Sequence, residues 1–200
     1  MKGILYYFSG TGNTKWTALK FKEVFLKFGY EVELRSIEKI DNISLEGKDF
    51  LIIGTPVHSE FPPKIIIDFL KRLPEGNNMK TLIYSTQGVN SAAAVEHINR
   101  IVSDKHYNVS VQASIRFANN YYFGFGIERT PEEIKKFSLN AERKINLLVE
   151  EFVKDSTYKD KISNLRLYIG RVMHRSFYKM LPKLSLNLSA TEECTKCDYV

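Results

Sequence analysis

Cysteine is nearly absent from this chain. There are two among 200 residues, Cys194 and Cys197, both within seven residues of the end. No disulfide can staple the main body, so its stability must come from a core, which suits a reducing compartment. Long apolar runs are also missing: none approaches the ~20 residues that would cross a bilayer. The N-terminal stretch MKGILYYFSG lacks the apolar length and the small-residue cleavage site of a secretion signal, so a cytoplasmic protein is expected. Histidine is scarce and scattered, at His58, His97, His106 and His174, and no nucleophile–base–acid set stands out. His97 and His106 read as surface residues. There is no internal repeat and no low-complexity stretch.

Acid is in mild deficit, with 23 Asp+Glu against 29 Lys+Arg, a net +6. Residues 1–150 hold 20 basic and 17 acidic side chains, and residues 151–200 hold 9 and 6, so each part carries +3. The shorter tail is therefore the more basic part. Charge alone leaves nucleic acid, acidic lipid and an acidic protein open as partners.

What is present is an alternation of short apolar runs with helical periodicities. Strands are predicted at 2–8 (KGILYYF), 31–36 (EVELRS), 49–54 (DFLIIG), 80–85 (KTLIYS) and 108–117 (NVSVQASIRF). Helices are predicted at 13–28, from Pro62 or Pro63 to Leu73, at 91–103, and from Thr130 to about Lys154. Strands alternating with helices argue for βαβ crossovers and a parallel sheet, and five strands so arranged allow a doubly wound sheet in the order 2-1-3-4-5. Residues 154–160 (KDSTYKD) read as a polar hinge. A further helix is predicted at 161–182, ended by Pro182. Ile162, Leu165, Ile169, Val172 and Met173 form its apolar stripe, and Arg171, Arg175 and Lys179 a basic one. Packing against the α/β domain is its expected use.

In that strand order the loops after strands 1, 3 and 4 converge at one crevice. They are FSGTGNT (8–14), GTPVHSEFPP (54–63) and STQGVNS (85–91), all rich in Gly, Pro or hydroxyls. A tight glycine loop between a strand and a helix presents backbone N–H groups to an anion, with the positive end of the helix behind them. A Walker A loop does not fit, because Gly10 and Gly12 are too close together. A dinucleotide fingerprint does not fit either, because Lys15 stands where the third glycine belongs. Ser9, Thr11, Asn13 and Thr14 remain as neutral donors around Gly10 and Gly12. They suit a terminal phosphomonoester held by hydrogen bonds rather than by an ion pair.

The pattern S-x-T-G-x-T after a first strand resembles the FMN-phosphate loop of the flavodoxin family. GTPVHSEFPP and STQG resemble the family's two flavin-contacting loops, and the likeness covers roughly residues 1–150. It implies a flavodoxin-like fold and an FMN site built from Ser9, Gly10, Thr11, Gly12, Asn13 and Thr14 for the phosphate. Thr55, Pro56, Val57, Thr86, Gln87 and Gly88 would lie at the polar edge of the ring. An aromatic residue of the second loop usually stacks on that ring, and here the position falls on His58, with Phe61 nearby. Asn119 and Tyr121, after strand 5, would close the far side. Read without the resemblance, His58 is an exposed loop residue and Asn119–Tyr121 a turn.

Cys194-x-x-Cys197 alone is half a zinc site, a redox dithiol or part of an iron–sulfur run. The plan of the chain resembles flavodoxin–ferredoxin fusion proteins. The division implied is an FMN domain at 1–154, a helical connector at 155–190 and the start of a ferredoxin-like domain at 191–200, truncated in its ferredoxin part. A 4Fe–4S cluster needs more ligands than these two thiolates, so it is expected only in a longer chain. The expected function is electron transfer through FMN with a ferredoxin or another acidic redox protein, and with neither nucleic acid nor membrane. The alternatives are a flavin-dependent NAD(P)H or quinone reductase or porphyrin-precursor oxidase of the same fold, and a non-redox interaction module using the basic helix.

Overall fold

The computed structural model describes residues 1–88, 93–118, 129–186, 189 and 192. The predicted Asn119 and Tyr121, and both cysteines, lie outside the described residues. Strands β1 (Lys2–Tyr7), β2 (Glu31–Ser36), β3 (Phe50–Pro56), β4 (Lys80–Gln87) and β5 (Asn108–Arg116) alternate with helices α1 (Asn13–Lys27), α2 (Lys64–Arg72) and α3 (Ala93–Ser103). Helix α4 (Pro131–Val153) follows β5, then a two-residue strand β6 (Tyr158–Lys159) and helix α5 (Asn164–Ser185). All pairings are parallel, in the order β2-β1-β3-β4-β5-β6.

The sheet thus has six strands where five are predicted. The sixth lies in the stretch read as a polar hinge. An edge strand this short has no apolar alternation to betray it, and polar groups fasten it instead. The Ser114 N–H donates to Asp160 Oδ2 at 2.7 Å, the Asp160 N–H donates to the Gln112 carbonyl at 3.0 Å, and Lys144 pairs with Asp160 at 3.1 Å.

The central strands are buried on both faces, which is why they read as continuous apolar runs. Leu5, Phe50, Ile52, Leu82 and Val111 pack against Phe21 and Phe25 of α1 and Ile145, Leu148 and Phe152 of α4. Ile4, Leu51, Ile53 and Ile83 pack on the other side, against Ile66 and Leu70 of α2 and Val95 and Ile98 of α3. Pro63 stands at the N-cap of α2, ahead of the first helical turn.

Helix α5 departs from expectation twice. It continues through Pro182 to Ser185. Proline removes one N–H and crowds one carbonyl, and three residues from a helix end that disturbance is tolerated. Its predicted apolar stripe also faces outward: Leu165, Ile169, Val172 and Met173 are exposed, while Leu167 and Gly170 are buried. The surface it lies on explains this. Arg166, Gly170 and His174 meet the polar turn at residues 58–61, and the one leucine turned inward, Leu167, fills a small pocket with Phe61, Ala93 and Ile162, which leaves no room for a long apolar stripe.

Candidate functional site

The chain reverses its winding between β1 and β3. A cavity of about 520 Å³ opens there, beyond the carboxyl ends of the strands. Its wall comes from five places. The β1–α1 loop supplies Gly10, Thr11, Asn13 and Thr14; the β3–α2 loop supplies Pro56, Val57, His58 and Ser59; the end of β4 supplies Thr86, Gln87 and Gly88. Ala118 after β5 and Phe177 of α5 complete it.

Gly12, at φ 93°, is the N-cap of α1, and no side chain caps the helix there. The first turn of α1 carries no acid, so its positive end is not neutralised locally. The Lys15 N–H donates to Ser9 Oγ at 3.2 Å, which orders the loop and leaves the Ser9 proton to be donated elsewhere. β4 anchors the start of α1. The Tyr84 hydroxyl donates to the Thr14 carbonyl at 3.0 Å, and the hydroxyls of Thr14 and Thr86 meet at 2.7 Å. Tyr84 lies flat across Gly54, where a Cβ would come within 2.3 Å of its ring. Complete burial holds its hydroxyl far above the usual tyrosine range. Thr14 thus lines the cavity with its carbonyl and its hydroxyl both tied to β4.

The other loops are tied in a similar way. The Val57 N–H donates to the Thr86 carbonyl at 3.1 Å, and the Gly88 carbonyl accepts from Arg116 Nε at 3.2 Å. Gln87 differs. Its Oε1 accepts a long bond of 3.4 Å from Ser85, while its buried Nε2 has no partner among the described residues. A buried amide donor without an acceptor is costly, by roughly 1–3 kcal/mol. An acceptor on a bound ligand would remove that cost.

Of the residues singled out by sequence, Ser9 and Gly12 stand in the loop itself, and ten others from Gly10 to Gly88 line the cavity. Two do not reach it. Thr55 is buried within β3, its hydroxyl donating to the Pro56 carbonyl at 2.8 Å. Phe61 is buried behind the wall between His97 and His174, with ring centroids 5.1 and 5.2 Å away. His58 does reach the cavity. Its ring keeps an exposed edge, yet the crowded rim desolvates it and lowers its pKa, and the nearby His174 adds to the effect. Burial likewise lowers the pKa of His97, helped by Arg171, His174 and Arg100. His97 is half-buried rather than a surface residue. Ser59, Ala118 and Phe177 are wall residues that sequence reasoning missed. Ser59 lies within the predicted loop 54–63 and Ala118 adjoins the predicted end of strand 5, but nothing local marks Phe177. No group of three or more metal-ligating side chains occurs among the described residues.

This architecture has many solved counterparts. The fold is flavodoxin-like. The reduced flavodoxin of Megasphaera elsdenii matches at 23% identity, covering 72% of this chain and 99% of that one, with a TM-score of 0.52. A flavodoxin mutant of Fusobacterium nucleatum, solved with flavin mononucleotide bound, matches at 14% identity, covering 78% and 97%, with a TM-score of 0.55. The rubredoxin oxygen:oxidoreductase of Desulfovibrio gigas matches at 13% identity over 74% of this chain and 37% of its own, with a TM-score of 0.50. No protein-family model and no curated protein matches the sequence. No described helix is long and apolar enough to cross a membrane.

Proposed function

We propose that the cavity binds FMN and that the protein is an electron-transfer flavoprotein. The observation that carries this reading is the cavity's composition: an uncapped, acid-free helix N-terminus at one end and the unpartnered amide of Gln87 in its wall. The residues fit the group. The backbone N–H groups of residues 10–14 and the Ser9 hydroxyl would hold a phosphate, and Gln87 Nε2 would donate to an acceptor on the ring. Bound FMN would supply reversible one- and two-electron transfer; the protein supplies orientation and exclusion of water.

The partner we favour is an acidic redox protein such as a ferredoxin. Arg171, Arg175 and Lys179 are all exposed on α5, beside the exposed apolar residues Leu165, Ile169 and Val172. An apolar centre with basic flanks suits a partner of opposite charge.

Titration with FMN, FAD and riboflavin tests the cofactor. FMN should bind most tightly. Ser9→Ala should cost about 1–3 kcal/mol of FMN affinity and leave riboflavin unchanged. Equal loss for both ligands would show that the loop holds no phosphate.

A further inference from the structure

Helix α5 is attached to the cavity wall in an unusual way. Residues His58–Phe61 form a tight antiparallel turn, with the His58 N–H donating to the Phe61 carbonyl at 2.9 Å. Its central residues, Ser59 and Glu60, have φ values of 47° and 78°. Two successive left-handed residues are the mark of a type I′ turn, which favours Asn and Gly. Serine and glutamate there are strained, so something must hold them.

Three contacts from α5 do so. His174 Nδ1 lies 3.1 Å from the His58 carbonyl and 3.2 Å from the Ser59 carbonyl. Both partners are acceptors, so Nδ1 carries the proton. Arg166 Nη2 pairs with Glu60 at 2.7 Å. Gly170 lets the helix approach, since a Cβ there would come within 3.3 Å of the Phe61 ring. One turn beyond His174, Phe177 lines the cavity, supported edge-on by Tyr178 at 5.8 Å. Among the described wall residues only His58 and Phe177 carry aromatic rings.

Flavodoxins covered almost end to end occupy 72–78% of this chain. Residues 1–153, ending with α4, make up 153 of 200, or 76.5%, which is about that share. The share left over is about the size of the segment after α4, which holds α5.

We propose that α5 is part of the cofactor site. Phe177 covers the planar ring system of the ligand, and His174 and Arg166 are positioning residues that keep the strained 58–61 turn in the shape the ring requires. The proposal rests on the reading that the cavity binds FMN.

The test uses the full chain and measures dissociation constants for both FMN and riboflavin by quenching of flavin fluorescence. Phe177→Ala should weaken both flavins by the same factor, about tenfold, as loss of an aromatic contact implies. Phe177→Tyr should restore binding. His174→Ala should weaken both and change the visible circular dichroism of the bound flavin, and His174→Asn, which keeps a donor for the two carbonyls, should recover part of each. Gly170→Val should lift the helix and weaken both flavins, although it touches no ligand. Wild-type affinity for both flavins in Phe177→Ala, or loss for FMN alone, would overturn the role of α5 while Ser9→Ala still reports on the phosphate loop. A wild-type chain that binds no flavin would instead overturn the underlying reading, and the proposal with it.

Discussion

Helices α4 and α5 are almost the same length, 23 and 22 residues, yet they belong to the protein in different ways. α4 buries Ala141, Ile145, Leu148, Val149 and Phe152 along one stripe against the sheet. Its start is fastened by a capping box in which Thr130 and Glu133 exchange hydrogen bonds of 3.1 and 3.3 Å. α5 buries only Leu167 and Gly170, and its remaining attachments are polar or aromatic. Apolar burial dominates the free energy of folding, so α4 is part of what makes the sheet stable. α5 is held by a few directional contacts on the 58–61 turn and by one small apolar cluster around Leu167. The lesson is that helix length and periodicity do not reveal which role a helix has. The partner surface decides it.

The largest effect that would sharpen this contrast is in α4. Phe152→Ala should cost about 3–5 kcal/mol in global stability, read by urea denaturation. It removes a ring that packs on Phe25 and Phe50 at 5.5 and 5.3 Å. A cost below 1 kcal/mol would break the comparison.

Leu167→Ala should do less. Its cluster is small, with Phe61, Ala93 and Ile162, so the loss is limited by the free energy with which α5 docks. Amide exchange should show α5 opening separately from the sheet, with protection in β3 and β4 unchanged. Joint loss of protection in the sheet would show that α5 is integral to the core.

Glu60→Gln removes the charge facing Arg166 and should loosen α5 by about 1 kcal/mol, toward the upper end for a partly exposed pair. The readout is faster exchange in α5 and weaker flavin binding.

The smallest expected effect is on pH. The folded-state pKa values of His58 and His97 are lowered, first by burial. The opened state therefore binds more protons, and stability of the docked helix rises with pH. It is fully present above the ordinary histidine value of about 6.5 and declines as pH falls below it toward the lowered folded values. The groups around them are Arg100, Arg166, Arg171, His174 and Glu60. Exchange in α5 should thus quicken between neutral and mildly acidic pH while α4 does not respond. An α5 indifferent to pH would mean that neither histidine feels the docked helix.

Much of the α/β unit was legible because its signals are local. Buried parallel strands announce themselves as apolar runs, the edge strand β2 shows to its end residues by its alternation, and Thr130-Pro131-Glu132-Glu133 marks the start of α4 on sight. The glycine loop 8–14 and the loops after β3 and β4 were legible as one crevice, because strand order alone brings them together. β6 was not, because two residues at a sheet edge need only side-chain anchors such as Asp160. Phe61 was misplaced because a two-residue turn sends it behind the wall, while His58 stays on the wall.

By itself the sequence determined the five longer strands, the helices between them and the loops that meet at the switch point, since each follows from periodicity and turn chemistry within a few residues. Only the tertiary structure decided which face of α5 turns inward, that Thr14 pairs with Thr86, and that Phe177 reaches the cavity. Those outcomes depend on surfaces more than seventy residues apart in the chain, and no local pattern encodes whether a neighbour will be apolar or a strained polar turn.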